Sequence, residues 1–187
     1  NVSKSTVEGT VTANGLVLKL YYDLKVELPP PVKPTTVKYY VRHYLEQIDG
    51  SYKEVTADAK VGEGKIGATV TADPNTYTNY TYNASKSIAT GTVIEPEVVD
   101  GKLNILTLEL YYDLNSVEYK VEYYLQDKPD SKKYNLKETG TFTAKVGANV
   151  TAEIKDYTGY IYNVSKSTVE GTVTANGLVL KLYYDLK

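Results

Sequence analysis

The residues able to do chemistry are few. The chain has a single histidine, His43, within "VRHYL", and no cysteine. Ser/His and Cys/His nucleophilic sites, thiolate–zinc clusters and histidine metal sites therefore have almost no raw material. His43 sits on an amphipathic strand pattern at a place where a second, similar segment carries Tyr123, so the reading gives it a structural role. Carboxylates gather at Glu95, Glu97 and Asp100, and again at Asp127 and Asp130. General acid–base work needs two carboxyls held across a cleft with separated pKa values. These fall in turn and hairpin-tip sequence, where solvated surface charge is the expectation. No D-x-D-x-D-G calcium loop occurs. The sequence thus predicts neither an enzyme nor a metal or cofactor site.

Tyrosine is the abundant functional side chain: there are twenty, with one phenylalanine, Phe142, and no tryptophan. Tyr77, Tyr80 and Tyr82 correspond to Tyr157, Tyr160 and Tyr162 in a later segment. Such rings can stack on sugars, which makes these six the candidate binding residues. The competing role is packing on a sheet face, one ring side buried and the hydroxyl reaching water, and it is the favoured one.

The elements that must position these rings are repeats. Residues 1–25, "NVSKSTVEGTVTANGLVLKLYYDLK", return without a substitution at 163–187. A weaker match runs at an offset of 80, setting "VKYYVRHYL" on "VEYKVEYYL" and "GATVTADPNTYTNYTYNASKS" on "GANVTAEIKDYTGYIYNVSKS". After Val93 the offset falls to 72, so the first copy carries eight extra residues. The chain divides into a C-terminal half repeat (1–25), a Pro-rich linker (26–36), repeat A (37–114) and repeat B (115–187). The arrangement suggests a cycle of 162 residues iterated in tandem, and the absence of methionine suggests an internal piece of a longer protein.

Period two dominates each repeat. Val117, Tyr119, Val121 and Tyr123 share one strand face. So do Leu178, Leu180, Leu182 and Tyr184, with matching inward sets at Leu106, Leu108, Leu110 and Tyr112 and at Leu16, Leu18, Leu20 and Tyr22. Asn176-Gly177 predicts a type I′ hairpin between "GTVTA" and "LVLKLYYD". Asp100-Gly101 predicts a longer, protruding one in repeat A, spanning roughly Val93 to Leu106, with Pro96 at a bulge or edge. The linker "VELPPPVKPTT" favours polyproline II and suits a semi-rigid spacer. Net charge is −2 without a basic block, which argues against nucleic acid, and no apolar run is long enough to span a membrane.

A "VEYKVEYY" strand, a "KVGANVTA" segment, a "TGYIY" element and a closing "LVLKLYYD" strand together resemble the mucin-binding-protein (MucBP) repeat of Gram-positive bacterial surface proteins. The resemblance covers both repeats. It implies a mainly β, β-grasp-like fold of about 70–80 residues per repeat with little or no helix. It also implies an extracellular, cell-wall location and a stalk role, with adhesion to host mucin or glycan. A pure spacer presenting an adhesive or catalytic domain elsewhere in the parent chain is the alternative. The half repeat, lacking a first strand, is expected to exchange into or add to a neighbouring sheet, or to stay weakly ordered.

Overall fold

The computed structural model describes residues 3–25 and 35–187, which fall into two units, 1–34 and 35–187. Of the linker expected at 26–36, residues 26–34 lie outside the described residues, and Thr36 already opens the first strand.

In the larger unit, repeat A contributes β1 (Thr36–Glu46), β2 (Tyr52–Glu54), β3 (Lys60–Lys65), β4 (Thr69–Thr71), β5 (Tyr80–Tyr82), β6 (Thr90–Thr92), β7 (Glu97–Val99), β8 (Lys102–Asn104) and β9 (Thr107–Leu114). Repeat B contributes β10 (Ser116–Gln126), β11 (Tyr134–Lys145), β12 (Asn149–Thr151), β13 (Tyr160–Tyr162), β14 (Glu170–Thr172) and β15 (Val179–Leu186). A 3-10 turn at Thr56–Asp58 is the one helical element among the described residues. The fold is mainly β, as the alternating sequence requires.

Each repeat builds the same mixed sheet. In B the strand order is β11-β10-β15-β13; in A it is β2-β1-β9-β5, with β3 also paired to β1. The two central strands are the first and last of the repeat, and they run parallel. Val121 lies opposite Leu180 and Tyr123 opposite Leu182; Val41 lies opposite Leu108 and His43 opposite Leu110. The flanking pairings are antiparallel. A two-stranded ribbon, β12–β14 in B and β4–β6 in A, supplies the second layer. Leu180, Leu182 and Tyr184 form the buried centre of B with Val121, Tyr123 and Ala152, and Leu108, Leu110, Tyr112 and Ala72 form that of A.

Two expectations about turns separate here. Asp100 and Gly101 both take positive φ, 51° and 74°, closing the long β7–β8 hairpin as a type I′ turn; Pro96 stands immediately before it. Asn176-Gly177 does not form the expected hairpin. The turn closes between Thr174 and Gly177, with Ala175 and Asn176 at its centre and only Gly177 at positive φ. Nor does the preceding strand pair with β15: β14 pairs with β12. The reason is packing. A Cβ on Gly171 would meet the Leu178 side chain at 3.2 Å, so this backbone lies on the face of the leucine row rather than beside it in the sheet plane.

The half repeat corrects a further expectation. Its set Leu16, Leu18, Leu20 and Tyr22 does not point into a core. Leu18, Leu20 and Tyr22 are 47%, 58% and 85% exposed, whereas the identical Leu180, Leu182 and Tyr184 are 0%, 0% and 1% exposed. Residues 3–25 contain no strand, only the bridge Thr12–Gly15.

The repeats join through one residue, Asn115, between β9 and β10. Its N–H donates to the Asn79 carbonyl (2.9 Å), and its own carbonyl accepts from the Val146 N–H (3.0 Å). Glu46 accepts the Leu114 N–H at 3.0 Å and pairs with Lys145 of repeat B at 2.7 Å. Gln126 takes the equivalent place in B, accepting the Leu186 N–H at 2.9 Å.

The duplicated ribbon gives an internal control on core energetics. Leu180→Ala should destabilise repeat B by roughly 2–5 kcal/mol, as buried leucine truncations do, whereas Leu18→Ala should leave stability unchanged. Chemical denaturation of the two variants measures both.

Candidate functional site

Where the sequence places its candidates, the structure brings some together. In repeat A, Tyr77 meets the buried Tyr112 edge-on at 4.8 Å and Tyr82 packs on it at 5.6 Å; Tyr80 packs against the same core. In B, Tyr157 and Tyr162 meet Tyr184 at 4.9 and 5.5 Å, and Tyr160 packs beside them. All six rings are half-buried. Tyr77 donates to Asp58 (2.6 Å) and Tyr157 to Glu138. Glu97 and Asp100 lie in the exposed hairpin, and Asp127 and Asp130 in the exposed turn after β10.

His43 is buried, with Nδ1 2.9 Å from the Tyr112 hydroxyl. That hydroxyl also accepts the Asn75 N–H at 2.8 Å, which leaves its own proton available to a neutral, unprotonated Nδ1. Tyr184 does the same backbone work in B, accepting the Lys155 N–H at 3.0 Å. Burial lowers the pKa of His43; Asp58 opposes this and Lys60 adds to it.

Below the sheet, on the core side, each repeat has a groove between its first hairpin and the segment that crosses the sheet. In B the groove is about 220 Å³, lined by Tyr119, Phe142, Glu153 and Lys155; in A it is about 330 Å³, lined by Tyr39, His43, Asp73 and Asn75. Tyr119 stacks on its cross-strand partner Phe142 at 5.4 Å. In A the partner of Tyr39 is Gly62, and the ring lies directly over it: a Cβ there would be 2.2 Å from the ring. Small-molecule sites usually span about 300–1,000 Å³, so the groove of A reaches the lower bound and that of B falls short.

The opposite sheet face carries a duplicated network the sequence reading missed. Tyr44 stacks on Tyr111 at 4.9 Å, Tyr52 meets Tyr111 edge-on at 5.2 Å, and the Lys86 ammonium stands 4.3 Å over Tyr52. In B, Tyr124, Tyr134, Tyr183 and Lys166 repeat this, at 5.0, 5.2 and 4.7 Å. Tyr52 donates to Asp113, which also accepts from Asn83 (2.7 Å); Tyr134 donates to Asp185 (2.5 Å), which accepts from Asn163 (2.8 Å). The "SKS" turn aims the lysine. Asn83 Oδ1 accepts from Ser85 and the Lys86 N–H, and Ser87 Oγ reaches back to the Asn83 carbonyl; Asn163, Ser165, Lys166 and Ser167 do the same. The signal for this turn is present in the sequence as "NASKS" and "NVSKS".

These hydroxyls are held as donors. Burial and then the Glu109 carboxylate push Tyr111 up to about 12, and the bond to Glu122 pushes Tyr124 up to about 12. Both rings therefore stay neutral through the ordinary tyrosine range. The chemistry on offer is stacking, hydrogen bonding and cation–π contact rather than proton transfer.

The histidine sets an acid limit on one repeat only. A folded-state pKa held below the free value of about 6.5 means the unfolded chain takes up the proton first. Stability is full above that value and falls as pH drops through it. Repeat A should lose stability as pH falls below about 6.5 while B does not, and His43→Tyr, which copies Tyr123, should flatten the slope. Thermal melts across that window would show it.

No protein-family model matches the chain, and no curated protein matches it.

Proposed function

We propose that this chain is a non-enzymatic, extracellular stalk segment of a bacterial surface protein, built to carry tension between its ends. One observation carries the reading: in each repeat the first and last strands are hydrogen-bonded parallel neighbours. Pulling Ser116 and Leu186 apart slides β10 along β15, so every bond of that ladder resists at once instead of opening one by one. The same holds for β1 and β9, and Asn115 passes the load from A to B without slack. The mixed sheet order, with its parallel central pair, also supports the β-grasp-like reading and the resemblance to MucBP repeats. No helix among the described residues is long and apolar enough to cross a membrane.

Single-molecule stretching from the two ends should show two separate unfolding events. They release roughly 280 Å and 250 Å of chain for A and B, at about 3.5 Å per residue. Attachment instead at Ser116 and Lys145, the paired open ends of the β10–β11 hairpin, loads that ladder as a zipper and should open repeat B at several-fold lower force. Equal forces in the two geometries would remove the basis for the stalk.

Adhesion to mucin or another glycan is the second reading, favoured by the aromatic grooves at matching places in both repeats. Phe142, 47% exposed, can be truncated without opening the core. Glycan-array binding by the intact chain that Phe142→Ala weakens at least tenfold would support this role; no binding, or binding indifferent to that change, would leave the stalk reading alone.

A further inference from the structure

Residues 3–25 are 165–187 over again, but without their neighbours, and their local contacts are already made. The Thr6 N–H donates to the Lys19 carbonyl at 2.9 Å, as Thr168 does to Lys181 at 2.8 Å. The Gly15 N–H closes onto Thr12 at 2.9 Å, as Gly177 does onto Thr174 at 2.9 Å. Ser5 Oγ holds the Tyr21 N–H at 2.9 Å, as Ser167 holds Tyr183 at 2.8 Å. Both turn glycines keep the same backbone, with φ of 85° and 86°.

What differs is the other side. Gly177 lies so close to Glu118 that a Cβ would be 2.6 Å from its carbonyl oxygen; around Gly15 there is nothing within 4 Å. Val11 is 75% exposed where Val173 is 1% exposed. The exposed strip of Val11, Leu18, Leu20 and Tyr22 is therefore the same surface that, in repeat B, is covered by Val121, Tyr123 and the rest of the half repeat 116–162.

We infer that residues 3–25 are a preassembled half repeat whose partner is the 116–162 half of a second copy of this chain. The incoming segment takes the place of that copy's own 165–187, with Leu18 and Leu20 opposite Val121 and Tyr123 in the parallel register of β15. Because each chain carries both the donor segment and the acceptor sheet, the contact is head-to-tail and can extend from copy to copy. In an intact copy the resident ribbon holds the site, since a tethered segment competes at an effective concentration on the order of millimolar. Exchange therefore follows loss of the resident ribbon.

The test uses the full chain with the resident ribbon disabled by Leu180→Asp and Leu182→Asp. At high protein concentration this variant should form species larger than a monomer that dissociate on dilution. It should also keep amide-exchange protection over residues 119–125. Adding Leu18→Asp and Leu20→Asp should abolish both properties, while those two changes alone should leave an ordinary monomer with full protection. Loss of protection in the first variant, equal to that in the fourfold variant, overturns the inference. Protection retained in a monomer overturns the assignment to a second copy.

Discussion

Parallel pairing between the first and last strand of each repeat is the constraint on which the remainder rests. It places Leu108, Leu110 and Tyr112 against Val41 and His43, and Leu180, Leu182 and Tyr184 against Val121 and Tyr123. Without it there is no buried surface for the β4–β6 and β12–β14 ribbons to cover. It also brings the chain ends of a repeat to opposite ends of one ladder, and the proposed stalk role starts from that geometry. The other features of the sheet follow: Glu46 and Gln126 cap the ladders at Leu114 and Leu186, and the "SKS" turns brace the outer side of β9 and β15.

Identical residues in two settings separate local from tertiary causes. The turn at Thr12–Gly15 and the Ser5–Tyr21 bond form in the half repeat as they do in repeat B, so these belong to the local sequence. The strand does not form there, and the leucines stay exposed. A ribbon of Leu, Val and Tyr with strong strand propensity still needs a neighbour to hydrogen-bond and a face to bury, as expected for isolated hairpins.

The differences between A and B are substitutions within one plan. His43 replaces Tyr123, Gly62 replaces Phe142 beneath a tyrosine, and the β7–β8 hairpin absorbs the eight extra residues without disturbing the register of β9. Much of this was legible in advance. Period-two alternation identified the inward faces of β9, β10 and β15, and Asp100-Gly101 identified the long hairpin. The pairing of β15 was not legible, because a parallel partner some sixty residues away leaves no mark in a local window. For the same reason Asn176-Gly177 misled: the dipeptide signals a positive φ, and Gly177 alone supplies it, but not which strand the chain meets afterwards. The tyrosine–lysine face was missed since its members lie on four separate segments, joined only by the fold.

Residue-resolved amide exchange by NMR compares the two copies of the ribbon most directly. The account predicts strong protection for Leu180, Leu182 and Tyr184 and near-random-coil exchange for Leu18, Leu20 and Tyr22 in the same monomeric molecule. Equal protection at both places would mean that the ribbon orders itself without its parallel neighbour, and would contradict the account.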